Sequence, residues 1–368
     1  MLLIKIEAAK IISLITKQLS FIKTVLMSKL YSLILIVLIC TQQPVFAQPA
    51  PINRQQFFLG DSVINVQLTT DIRKLRADKK KLVWLPAHIV MNFADTLVIS
   101  ESIRIEPRGI YRKDNCDLAS LMLDFKTPAS PQLSNLKKLK LVGGCYSNDA
   151  SENLLLKEYL VYKIYNILSP MSFRVRLLHV TYNDSAQKVK SYTQYAFLIE
   201  DIKDLAERNN CKEIKNKSFP TEATNRQQIS FVSIFEYMIG NTDWAVPNNH
   251  NIKLMVPLTD TSAKPYPIPY DFDYCGLVSA PYAVPAEGLD IKNVRDRYYM
   301  GHPRAIQELD IITDVFKEKQ ESIMKYVNDF YLLNPKERKD IINYLDQFYD
   351  IIKTESSIKY AFINNALH

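Results

Sequence analysis

The chain has 368 residues, 47% hydrophobic and 23% charged, a balance that excludes wholesale disorder. With only 8 glycines and neither a G-x-x-x-x-G-K-[ST] nor a G-x-G-x-x-G string, glycine-rich phosphate loops are excluded as well. The formal charge of +7 comes partly from the first 47 residues; the remainder holds 41 basic and 38 acidic groups, which gives no footprint for nucleic acid.

The first segment points to export. Residues 30–39, LYSLILIVLI, form an apolar run after Lys29, and Val45-Phe46-Ala47 closes it with small residues at positions −3 and −1. This is the pattern of a signal peptide cleaved after Ala47, and the run is short for a bilayer span. Met27 is a natural start, which leaves residues 1–26 as an over-extended start or a lysine-spaced lead-in. An uncleaved signal is the alternative, and the one route by which a membrane enters as a partner. Lipidation at Cys40 is disfavoured by the bulky Ile39 before it. The expected location is therefore the periplasm or cell envelope. Cys116, Cys145, Cys211 and Cys275 remain after cleavage. They permit two disulfides with three pairings, or buried free thiols, and lack zinc spacing.

After a polar leader at 48–56, alternating Val/Ile/Thr-rich stretches predict strands: SVINVQLTT, KLVWLP, DTLVISESIRIEP, SLMLDFK and LKKLKLVGG. The basic Lys79–Lys81 cluster between them reads as a solvated loop. Residues 151–168 have helical spacing, with Ser151 as N-cap. Two more strands follow at 172–182 and 191–200. Residues 226–240 carry one buried helical stripe, 251–257 and 266–272 read as short extended pieces, and helices are expected over 303–329, 335–353 and 356–366. The expected class is α+β, a β-rich half before a mostly helical one.

The segment 237–276 carries the chemistry. A helix ends at Gly240 and Asn241-Thr242-Asp243-Trp244 follows; Asn251 opens a strand, and a second strand ends in Asp271-Phe272-Asp273. Carboxylates and an amide on adjacent loops suit a hard divalent cation, with one carboxylate left to deprotonate a hydroxyl. That is a layout for phosphoryl transfer. No G-x-S-x-G, H-E-x-x-H or Cys/His zinc spacing is present. A glycosidase built on Asp243 and Asp271 would need an aromatic sugar cleft, and Trp84 and Trp244 are far apart in sequence.

The string GNTDW…HNIKLM…PYDFDYCG resembles the catalytic region of atypical kinases of the HipA and spore-coat protein H (CotH) types, and more narrowly an exported group from Bacteroidetes-type bacteria. Upstream, IRIEPRGIYRKDNCDLASLMLDFK is similar to the phosphate-covering hairpin of CotH-type proteins, and YAFLIEDIKDLAER to their hinge. The resemblance covers roughly 100–300. It implies a two-lobed kinase-like fold: a β-rich N-terminal segment at 48–99, an N-lobe at 100–201 and a helical C-lobe at 202–368.

It further implies Asp243 as catalytic base, with Asn251, Asp271 and Asp273 as metal ligands. Lys140 would hold the α/β-phosphates and pair with Glu158; Lys126 and Glu152 are the second choices. Glu200 would sit at the hinge, and Arg108 and Arg112 would contact phosphates. The expected cofactors are ATP with Mg²⁺ or Mn²⁺, and the acceptor a protein or small-molecule hydroxyl.

Three departures from the family pattern stand out. The usual D-x-x-x-x-N spacing selects Asn248, whereas the strand context selects Asn251; His250 lies between them as a further ligand or base. DFD lacks the usual glycine, and IYRKD replaces small polar residues in the hairpin. The alternative function is an inactive kinase-like binding or envelope-assembly module. The sequence does not separate phosphoryl from nucleotidyl transfer.

Overall fold

The computed structural model describes residues 2–40 and 51–367, apart from 79, 82, 94–96, 110, 127–131 and 216–218. The chain divides into two units, Met1–Ala50 and Pro51–His368. In the first, α1 runs over Leu2–Cys40, with no glycine or proline to interrupt it. Its stretch Lys10–Ser32 is long and apolar enough to cross a membrane. The helix thus begins well before the apolar run picked out at 30–39. The expected cleavage site at 45–47 lies outside the described residues.

The second unit opens with α2 (Arg54–Phe57), β1 (Ile64–Thr70), α3 (Ile72–Ala77), β2 (Leu85–Phe93) and β3 (Leu97–Arg108). Then come α4 (Tyr111–Asn115), β4 (Ser120–Asp124), β5 (Lys138–Gly143), α5 (Asp149–Leu168), β6 (Val175–Asp184) and β7 (Tyr192–Ile199). The helical part holds α6 (Ile202–Arg208), β8 (Cys211–Ile214), α7 (Arg226–Ile239), β9 (Ile252–Pro257), β10 (Tyr266–Pro269), α8 (Ile306–Asp329), α9 (Pro335–Ile351) and α10 (Glu355–Lys359). The mixed α+β content is as expected. KLVWLP is mostly outside a strand, because β2 starts only at Leu85. The N-cap of α5 is Asn148, whose side chain accepts from the Ser151 N–H, rather than Ser151 itself.

Strands β1–β2–β3–β4–β5–β7–β6 form a closed barrel. The closing pair is parallel: Ile64–Thr70 lie beside Leu178–Asp184. Period-two alternation sorts each strand into two faces. On β7, Ala196 and Leu198 face the barrel interior with Val66, Ile89 and Leu123. The alternate Phe197 and Ile199 pack on α5. Helix α5 is buried on nearly every side, and Tyr159, Tyr162 and Tyr165 on it join one core with α7, α8 and α9. A second small sheet, β10–β9–β8, lies in the helical part. The boundary drawn between 99 and 100 falls inside β3, and β1 and β2 belong to the same barrel as β3–β7. Residues 48–99 are therefore not a separate segment, since removing them would open the barrel along β3 and β6.

One disulfide forms, Cys116–Cys145, with a sequence separation of 29. Cys211 and Cys275 are buried free thiols, so each of the two alternatives left open by the sequence holds for one pair of cysteines. The bridge ties the end of α4 to the turn before α5, where the Tyr146 hydroxyl also donates to the Asn115 carbonyl (2.8 Å). Loop-closure entropy assigns about 3–4 kcal/mol to a bridge of this span. Reduction, or the pair Cys116→Ser/Cys145→Ser, should lower the denaturant midpoint accordingly. An unchanged midpoint would remove the bridge from the stability of the fold.

Candidate active site

Helix α7 ends at Gly240, which takes a left-handed backbone (φ 67°) while the Asn241 N–H donates to the Glu236 carbonyl (2.8 Å). A Cβ there would fall 2.1 Å from the Tyr344 hydroxyl, so both the backbone and the packing demand glycine. The next residue, Asn241, links helix to loop. Its amide donates to Glu236 Oε2 (2.9 Å), and its oxygen accepts from the Asp243 N–H (3.0 Å). Trp244 then turns into a cluster with Ile229, Val232 and Ile252, which anchors the loop.

Residues 245–250 double back as a tight hairpin closed by an Ala245–His250 bridge. Asn249 at its corner has φ 53°. The turn returns the chain onto Asp243. His250 Nε2 lies 2.6 Å from Asp243 Oδ1, and the Asn251 amide donates to Asp243 Oδ2 (3.0 Å) and to its carbonyl (2.8 Å). Both carboxylate oxygens of Asp243 are thus held. Asn248 is exposed and accepts from the His250 N–H (3.1 Å), a turn role. The extra residues therefore place Asn251, not Asn248, beside Asp243.

The second loop joins the first directly, the Tyr270 N–H donating to the Asn251 carbonyl (3.0 Å). Asp271 has φ 68°, an unfavourable backbone for a residue with a Cβ. Its N–H donates to the hydroxyl of Tyr162 on α5 (2.8 Å), which holds that conformation. Phe272 is buried against the rings of Tyr162 and Phe235, at 4.7 and 5.6 Å. Asp271 is left exposed, and its side chain makes no hydrogen bond or ion pair among the described residues.

Three cations gather over this loop. Lys140 on β5 and Lys253 on β9 lie over the Tyr270 ring, at 5.4 and 5.7 Å. Burial, then the neighbouring Arg108 and Lys253, pull the Lys140 ammonium down to about 8, with Asp271 opposing. Burial also lowers Arg108, again against the pull of Asp271. A group of positive charges in partial burial around one exposed carboxylate is built to receive further negative charge.

Arg112 lies deeper. It donates to the Gly143 carbonyl and to Glu158 Oε2 (3.2 Å), and approaches Asp273 (3.6 Å). Burial works against its charge, but Glu158 and Asp273 overcome that and raise its pKa. Burial raises Glu158 well above the usual carboxylate range, and Asp273 adds to this. Asp273 itself is pushed up to about 6, by burial and then by Asp271, with the Tyr282 hydroxyl donating to it (3.1 Å).

Two expectations are corrected here. Glu158 pairs with Arg112 and not with Lys140, because the short helix α4 brings Arg112 against the middle of α5. Glu200 is buried in an ion pair with Arg208 (2.9 Å) and accepts from the Arg174 N–H (3.0 Å), so both its oxygens serve the fold. Of the second choices, Glu152 accepts from the Tyr195 N–H (2.8 Å), and Lys126 lines a different cleft. Asp243, Asn251, Asp271, Asp273, Arg108, Arg112 and Lys140 do share one region, as the contacts above connect them. Lys253, Tyr162 and Tyr282 were missed. Tyr162 lies four residues after Glu158 on α5, a spacing that puts both on one helix face. Among the described residues no group of three or more His, Cys, Asp or Glu side chains is arranged to hold a metal ion.

No family model matches the chain, and no curated protein matches it. Among solved structures, the crystal structure of a Helicobacter pylori proinflammatory kinase, CtkA, is similar at 10% identity and a TM-score of 0.38, over 70% of this chain and 94% of that one.

The buried Glu236 beneath the loop yields a stability test. Burial lifts its carboxyl to about 8 from 4.5, despite the Asn241 hydrogen bond, and Asp243 adds to the rise. An acid raised on folding stabilises below its unfolded pKa, and that stability is lost as pH rises through the folded value. Between about pH 5 and 8 the protein should therefore lose stability relative to Glu236→Gln. Parallel denaturant melts across that range check this; equal slopes for the two proteins would refute it.

Proposed function

We propose that the chain is an exported, ATP- and divalent-metal-dependent phosphotransferase of the atypical kinase kind, two-lobed about this site, acting on a protein or small-molecule hydroxyl. The observation that carries the reading is the gathering of Lys140, Arg108 and Lys253 around the exposed Asp271, beside an Asp243 with both oxygens held. In that reading the three cations hold the nucleotide phosphates. Asp243 takes the proton of the acceptor hydroxyl as its oxygen attacks the γ-phosphorus and ADP leaves. The donor set of Asp271, Asp273 and the Asn251 amide is all oxygen, which fits Mg²⁺ or Mn²⁺. Burial first and then the charge of Asp271 raise Asp273, which supports a place for positive charge beside it. The ion would neutralise phosphate charge. Export is supported by the Cys116–Cys145 disulfide and by the apolar N-terminal helix.

One observation favours a second reading, an inactive kinase-like binding module. Active protein kinases need a lysine paired with a helix glutamate. Here Arg112 occupies that glutamate, and Lys140 stands apart from it.

The full chain, kept soluble in mild detergent, should melt higher with ATP and Mg²⁺. Ligand at about 100 times its dissociation constant contributes about 2.7 kcal/mol. Asp271→Ala should abolish the metal-dependent part, and Asp243→Ala should keep binding while turnover falls about 10²-fold or more. No shift with any nucleotide and metal would overturn both the nucleotide site and the enzyme; a shift without turnover would select the binding module.

Lys140 adds a pH test. Its ammonium is charged below about 8, so nucleotide affinity should fall as pH rises through that value. Lys140→Arg should flatten the profile. Calorimetric titration from pH 6.5 to 9 reads both, and a fall that persists unchanged in Lys140→Arg would clear Lys140 of the role.

A further inference from the structure

A cleft of about 470 Å³ opens on the outer face of β3–β5 and is bounded by the start of α6. Its charges can be accounted for one by one. Arg54 is paired with Asp204 (2.6 Å) and Arg104 with Asp124 (2.5 Å). The third carboxylate, Asp201, caps α6 by accepting from the Lys203 N–H (2.9 Å). Four ammoniums, Lys126, Lys137, Lys138 and Lys203, line the same cleft; among the described residues none of them forms a salt bridge, and Lys137 acts on Asp204 only from a distance. Lys138 and Arg104 both rest on the Trp84 ring, at 4.6 and 5.4 Å, which fixes their position. Lys137 has φ 55°, a strained backbone inside the cleft wall.

We propose that this cleft binds a phosphate-bearing small molecule carrying several negative charges. The volume suits a small ligand rather than a folded partner. Both arginines are spent on aspartates, and the four lysines remain as compact point charges of the kind that bind phosphate oxygens. The site adjoins the candidate active site but is distinct from it. Lys138 and Lys140 project from one face of β5 about 7 Å apart. Asp201 both lines the cleft and acts on Lys140. The inference stands without the phosphotransfer reading, because none of the four lysines belongs to that machinery.

Calorimetry of the full chain with inorganic triphosphate, without divalent metal at 0.15 M salt, tests it. Wild type should bind, and Lys126→Ala/Lys138→Ala/Lys203→Ala should weaken binding about tenfold or more, three charge-assisted contacts being lost. Lys140→Ala should change it far less than the triple variant does, because Lys140 does not line the cleft. All three lysines are exposed, so the fold should survive, and single Lys203→Ala is the check, with a smaller loss expected. The proposal is overturned if wild type gives no heat at millimolar triphosphate, or if the triple variant binds as wild type does. It is also overturned if Lys140→Ala alone abolishes binding, which would put the anion in the active site, or if a poly-glutamate peptide competes as well as triphosphate.

Discussion

The site depends on one buried guanidinium. Arg112 reaches from the short helix after β3 to the Gly143 carbonyl at the end of β5, to Glu158 on α5 and to Asp273 on the loop after β10. It thereby connects the barrel, the central helix and the DFD loop in one contact set. Burying such a charge is costly, and Glu158 Oε1 still has no hydrogen-bond partner among the described residues. Such a group is worth little in net stability, yet removing one partner strands the others, at about 3–5 kcal/mol. Its value is therefore positional: it fixes where Asp273 stands relative to α5.

Helix α5 is the second organiser. Glu158 and Tyr162 project from it four residues apart, one holding Arg112 and the other the Asp271 N–H. Two loops distant in sequence thus take their geometry from one helix face. The strained backbones at Asn251 and Asp271 persist because hydrogen bonds from outside each loop hold them. The same scaffold keeps the Asp271 carboxylate uncommitted while every oxygen of Asp243 is engaged. That division suits one group to meet a ligand and the other to be aimed.

Much of this was legible in the residues. Alternation marks β1 and β3, which bury one face, while β4, β6 and β7 read as strands through their Val, Leu, Ile and aromatic content and bury both; helical spacing marks α7, α8 and α9. Most of strand β2 falls outside the expected stretches because Pro86 at its start argues against a strand, although Leu85, Ala87, Ile89 and Met91 alternate inward. Barrel closure was not legible either, since alternation states which face is buried but not which strand is the neighbour. In the site, adjacency of Asp243, Asn251 and Asp271 followed from their short strands. The partner of Glu158 did not, because spacing carries no trace of how far α4 reaches. The disulfide was one of three pairings left open for four cysteines, and two of the four pair with nothing.

The parallel β1–β6 pair has a consequence for how the chain acquires its shape. Ile64 must find Leu178, and neither neighbouring hairpin can bring them together. Contacts of such long sequence separation form late, since the loop must close before they are rewarded. During synthesis β1, β2 and β3 emerge with one apolar face and no lid until β6 and β7 have followed. The half-made barrel has two open edges over that interval, a template for pairing with other chains. A chain built this way depends on being kept apart from its own copies until β7 is available to join β5 to β6.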